Sequence, residues 1–163
     1  METERLIKRA RKLGYEYLDT YKGCAQTTLL AVADALGMDV DDELFRAILG
    51  FSGETGGCGG ICGATAAIGL RYGLKKEDFE RDPGSRFKIY DVVKRVKDRF
   101  DEAYGGYLCK DIQMKLFGRT FESTNPEDQK AFEEMDLFKD CSKVTENAAG
   151  WTVEAILEAD RSI

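Results

Sequence analysis

Gly50-Phe51-Ser52-Gly53-Glu54-Thr55-Gly56-Gly57-Cys58-Gly59-Gly60-Ile61-Cys62-Gly63-Ala64-Thr65-Ala66-Ala67-Ile68-Gly69 is the stretch on which the fold turns. From Gly50 to Gly60 the glycine density is too high for regular structure, because each glycine loses the most backbone freedom on ordering. From Ile61 to about Tyr72 the pattern turns helical. Gly63, Ala64, Ala66, Ala67 and Gly69 make that helix rich in small residues. Small residues let two helix backbones approach closely. The stretch therefore reads as a loop that delivers the chain to a central helix.

Outward from it the periodicity is helical nearly throughout. Leu6, Ala10, Leu13 and Tyr17 recur at i, i+4, i+7 and i+11, the spacing of an amphipathic helix. Ala25, Leu29, Val32 and Leu36 share one face of a second helix that stops at Gly37. Asp41 and Asp42 introduce a short third helix, Leu44 to Leu49. After the central helix, Asp82-Pro83-Gly84-Ser85 reads as a turn. Ile89, Val92, Val93, Val96 and Phe100 form the inward face of the next helix. Leu108, Ile112 and Leu116 mark another, which ends at Gly118. Arg119 to Asp128 is polar and reads as a surface loop, with Asn125-Pro126-Glu127 a helix start. A last helix is expected from Cys141 to about Glu158, with Val144, Ala148, Trp151 and Ala155 on one side. No strand pairs or repeats emerge. The expectation is an all-α single domain over residues 1–163, a bundle of about six to eight helices with a glycine-rich cysteine loop.

The composition narrows the chemistry. The chain has 163 residues, five cysteines and no histidine. The missing histidine excludes Cys-His and Ser-His catalysis, mixed cysteine–histidine zinc fingers and histidine-ligated haem. A formal net charge of −6 argues against nucleic acid, which needs a basic patch. No apolar run is long enough for a membrane span. The charged start Met1-Glu2-Thr3-Glu4-Arg5-Leu6 is unlike a signal peptide, so a cytoplasmic location is expected. Cysteine patterns there more often mean metal or catalysis than disulfides. The glycine loop lacks Gly-Lys-Ser/Thr and follows no strand, which excludes a phosphate-binding loop. Ser52, Glu54 and Thr55 read as turn residues. Asp41-Asp42 and Glu133-Glu134 read as helix-end or solvated charges.

Four cysteines fall where helices are expected to begin: Cys24, Cys62, Cys109 and Cys141. Any one of them alone would read as a small buried packing residue. Four helix starts together do not follow from packing. Unpaired N–H groups and the positive dipole end there favour a thiolate, the form that binds metals and attacks electrophiles. Cys58 lies in the glycine loop. The Cys58–Cys62 spacing is not that of a zinc ribbon or a thioredoxin motif, although a turn could bring the two sulfurs together.

Cys24, then Cys62-Gly63-Ala64 after the glycine loop, then Cys109 and Cys141, resemble the four-cysteine redox-active proteins with the C_GCAxxG_C_C signature. The likeness runs from the second expected helix to the last. It implies a cytoplasmic, redox-linked protein. A similar helical domain occurs in split-Soret cytochromes c, where such cysteines accompany an iron–sulfur centre. The resemblance makes Cys24, Cys62, Cys109 and Cys141 candidate ligands, with Cys58 additional to the set as a fifth ligand or a resolving thiol. The central tripeptide departs from the signature, reading Cys-Gly-Ala, and the motif's final glycine falls at Ala67.

The leading expectation is therefore an iron–sulfur cluster on Cys24, Cys62, Cys109 and Cys141, serving electron transfer or redox sensing with an unidentified redox partner. The alternatives are a thiol–disulfide oxidoreductase using Cys58 and Cys62, and a structural zinc site with four thiolates. Tyr15, Tyr17, Tyr21, Tyr104 and Tyr107 read as core or interface aromatics, with shielding of a cluster a lesser role. The apolar face of the first helix, together with the split-Soret likeness, suggests a homodimer.

Overall fold

The protein is described by a computed structural model covering residues 1–51 and 56–162. The helical periodicity becomes nine α-helices among these residues: α1 (Glu2–Tyr21), α2 (Cys24–Leu36), α3 (Asp42–Leu49), α4 (Gly59–Tyr72), α5 (Lys76–Arg81), α6 (Arg86–Tyr104), α7 (Cys109–Phe117), α8 (Pro126–Glu134) and α9 (Phe138–Asp160). The fold is all-α. An isolated antiparallel bridge between Gly57 and Leu108 is the one β pairing among the described residues. The helix count exceeds the expected six to eight. One addition is α5, which buries no residue and so leaves no apolar face to read. The expected turn after it closes as a 3₁₀-helix, Pro83–Ser85, where the Asp82 carboxylate accepts from the Gly84 N–H. No helix among the described residues is long and apolar enough to cross a membrane.

α2, α4 and α9 form the centre. α2 is buried on almost every side, from Ala25 to Ala35, and α9 packs against α1, α2, α4 and α6. The inward face of α6 buries Val92, Val96 and Phe100, and Phe100 meets Trp151 of α9 edge-on at 5.5 Å. Two glycines set how close the helices come. A Cβ at Gly63 would lie 2.2 Å from the Ala25 carbonyl oxygen, and one at Gly14 would lie 2.6 Å from that of Thr145. The closest α2–α4 approach thus uses Gly63, while Ala67 is accommodated as a buried methyl. At the α1–α9 crossing the Thr145 hydroxyl donates to the Gly14 carbonyl at 2.7 Å.

Part of the apolar face of α1 packs within this bundle. Ala10, Gly14 and Leu18 are buried, and α1 packs along α9 and α2. Leu6, Leu13 and Tyr17 of the same helix are partly buried against that core.

Candidate functional site

Four helix beginnings converge at one end of the bundle. α1 and α2 are joined by two residues, Lys22 in the left-handed conformation (φ 56°) and Gly23, and α2 then opens on Cys24. α4 begins at Gly59 with Cys58 as its N-cap, two residues earlier than the sequence suggested. A Cβ at Gly59 would fall 2.6 Å from the Cys24 Cβ and 2.8 Å from the Ala25 nitrogen. Only glycine lets the start of α4 press onto the start of α2, and that contact sets Cys58 beside Cys24. The Gly57–Leu108 bridge does the same for α7. Cys58 N–H donates to the Tyr107 carbonyl at 3.0 Å, and Cys109 N–H donates to the Gly56 carbonyl at 2.9 Å. Cys109 is the first residue of α7. Cys141 lies in the first turn of α9, which starts three residues earlier than expected.

Cys24, Cys58, Cys109 and Cys141 all line one cavity of about 410 Å³. Cys62 is absent from its lining, and the sulfur of Cys62 lies 3.1 Å from where a Cβ of Gly57 would stand. Cys58 thus lines the cavity and Cys62 does not, although a charge on Cys62 still reaches Cys24. The cause is the register of α4. Because the helix starts at Gly59, Cys58 takes the capping position at the cavity and Cys62 is carried one turn away from it.

Much of the remaining wall is aromatic, although Lys22, Glu122, Asp128 and Glu133 also line it. Phe117, Phe121, Phe132 and Phe138 line the cavity and pack edge to face, with centroids 6.0 Å (Phe117–Phe132), 5.4 Å (Phe121–Phe132) and 5.0 Å (Phe132–Phe138) apart. They belong to the segment from the end of α7 to the start of α9. The part expected to be a polar surface loop therefore supplies one side of the cover. Its signal in the sequence is four phenylalanines in an otherwise polar stretch. None of the flanking tyrosines lines the cavity, so the shielding considered for them falls to phenylalanine. Gln113, also unremarked in the sequence, is buried in the wall. Ser52, Glu54 and Thr55 lie outside the described residues.

The electrostatics counter the expectation of reactive thiolates. Burial pushes the thiols of Cys24 and Cys58 well up from their ordinary range. Next comes repulsion among the cysteines themselves: Cys141, Cys109 and, least, Cys62 act on Cys24, and Cys24 and Cys109 act on Cys58. Cys141 is pushed up to about 12 by burial, then by the charges of Cys58, Cys109 and Asp140. The N–H groups of Gly60 and Ile61 favour the Cys58 thiolate, but the loss of water outweighs them. Cys62 is raised by burial alone. No disulfide links any of the five cysteines.

The buried thiols of Cys24, Cys58 and Cys141, with Cys109 beside them, are a donor set whose protonation a cationic centre would reverse, since a coordinating thiol gives up its proton outright. Among the described residues, no group of three or more Cys, Asp or Glu side chains is spaced to close on a single metal ion. A lone zinc would hold its sulfurs at about 2.3 Å from itself, in one tight tetrahedron. A polynuclear iron–sulfur cluster distributes its four cysteines over several irons and tolerates a wider set. Four cysteine sulfurs are a donor set that either a structural zinc or an iron–sulfur cluster takes.

A helical bundle with four cysteine-bearing helix starts around one partly aromatic cavity is the architecture of a cysteine-based redox protein. The chain belongs to the family described as "Putative redox-active protein (C_GCAxxG_C_C)", whose profile matches residues 22–155. The chain is also similar to an uncharacterized protein of Archaeoglobus fulgidus, 27% identical over 116 residues, which span 67% of this chain and 77% of the relative. No solved structure matches significantly.

Proposed function

We propose that this protein holds an iron–sulfur cluster on Cys24, Cys58, Cys109 and Cys141 and serves as a cytoplasmic electron-transfer or redox-sensing module. The observation that carries the reading is the convergence of these four sulfurs, from four separate helix starts, on one cavity. A bound cluster would supply one-electron chemistry. The chain's own part is to anchor, shield and tune. The cysteines fix the position from four helices at once. The phenylalanine wall limits water, which sets both potential and lifetime. The Gly60 and Ile61 amides favour negative charge on the Cys58 sulfur. Thiol–disulfide exchange between Cys58 and Cys62 has less support, because the thiols are held protonated and only Cys58 lines the cavity. The test is anaerobic purification, or reconstitution with iron and sulfide, followed by visible absorption and iron and sulfide analysis. Broad visible absorption with stoichiometric iron is expected. Colourless, iron-free protein after reconstitution would overturn the reading.

A further inference from the structure

Gln113 makes two bonds in opposite directions. Its Oε1 accepts the Phe121 backbone N–H at 2.8 Å, and its Nε2 lies 3.5 Å from the Cys109 sulfur. A backbone amide can only donate, so it must meet the oxygen end, which leaves the donor-only NH₂ end facing the sulfur. Gln113 stands one helical turn after Cys109 on α7, so both contacts sit on one face of that helix. The residue at the other end of the strut is in the cover. The Phe121 ring packs on Phe117 at 6.1 Å and on Phe132 at 5.4 Å, in the cavity wall.

We propose that Gln113 is a positioning residue that couples the state of the Cys109 sulfur to closure of the aromatic cover. An N–H donor binds an anionic, metal-held sulfur more strongly than a neutral thiol. Loading the centre therefore tightens the Gln113–Cys109 bond and, through Oε1, holds Phe121 against the cavity. The same donor stabilises the more negative, reduced centre and raises its potential. The effect on potential rests on the cluster reading above, whereas the tie between Gln113 and the cover holds in the metal-free protein.

Two variants test this. Gln113→Met removes both bonds, and Gln113→Glu keeps an acceptor for Phe121 while removing the donor to sulfur. In metal-free protein, amide exchange at Phe121 is read by NMR. It should quicken about tenfold in Gln113→Met, the loss of one hydrogen bond, and stay near wild type in Gln113→Glu. In cluster-loaded protein both variants should have a lower midpoint potential, Gln113→Glu the lower. If Gln113→Met loses its helical circular dichroism, Gln113→Glu still reads the potential and retained protection at Phe121. Unchanged Phe121 exchange in folded Gln113→Met, or a wild-type potential in Gln113→Glu, would overturn the coupling. Wild-type protein that takes up no iron would overturn the proposed function and the tuning of potential, while the exchange measurement would still judge the strut.

Discussion

A methyl group added at Gly59 tests the geometry that brings Cys24 and Cys58 together. Its Cβ would stand 2.6 Å from the Cys24 Cβ and 2.8 Å from the Ala25 nitrogen, where ordinary contact is 3.4–4 Å. Neither atom is the end of a flexible side chain, so α4 must retreat from α2 by roughly 1 Å. Overpacking of this kind costs about 1–3 kcal/mol. Gly69 is the internal control. It lies in the same helix, and a Cβ there meets nothing within 4 Å. Gly69→Ala should therefore stabilise by about 0.5–1 kcal/mol through helix propensity. The two substitutions should separate by roughly 2–4 kcal/mol, which is about 1–2 M in urea midpoint for a domain of this size. The assay is urea denaturation of the metal-free protein followed by circular dichroism, with iron per chain measured after reconstitution. Gly59→Ala should also lose iron, because the retreat moves Cys58 away from Cys24. Equal midpoints for the two variants, or full iron in Gly59→Ala, would refute the claim that this contact positions the site.

Phe132 touches Phe117, Phe121 and Phe138, so Phe132→Ala should cost about 2 kcal/mol and shorten the life of a bound centre in air, followed as decay of visible absorption. Thr145→Val should cost about 1 kcal/mol in urea denaturation, because it removes the buried donation to Gly14. Burial keeps the folded thiols of Cys24, Cys58 and Cys141 protonated above the pH at which unfolded thiols ionise. The folded state then binds more protons than the unfolded one, so stability falls as pH rises. From about pH 9 to 10 metal-free protein should lose up to about 1.4 kcal/mol per such thiol, and Cys58→Ser should flatten the slope of urea midpoint against pH.

The helices were legible because their burial is local and periodic. Val92, Val96 and Phe100 on α6, and Val144, Ala148 and Ala155 on α9, are buried as their spacing requires. α5 was illegible for the converse reason: it buries nothing. The end of the bundle that forms the site was legible in Cys24 and Cys109, which open α2 and α7 as expected. The choice between Cys58 and Cys62 was not. Both lie in the same glycine-rich run, and the register of α4 depends on Gly59 meeting Cys24 and on Gly57 pairing with Leu108, contacts between residues far apart in the chain. The aromatic cover was missed because Phe117, Phe121, Phe132 and Phe138 are spread over the end of α7, the polar stretch after it, α8 and the start of α9, and meet only when those elements fold together.

The central claim rests on which sulfurs face the cavity, and the most direct measurement is iron per chain in reconstituted wild type, Cys58→Ser and Cys62→Ser prepared side by side. The geometry predicts full iron in wild type and Cys62→Ser, and severe loss in Cys58→Ser. Iron retained in Cys58→Ser but lost in Cys62→Ser, or no iron in any of the three, would contradict it.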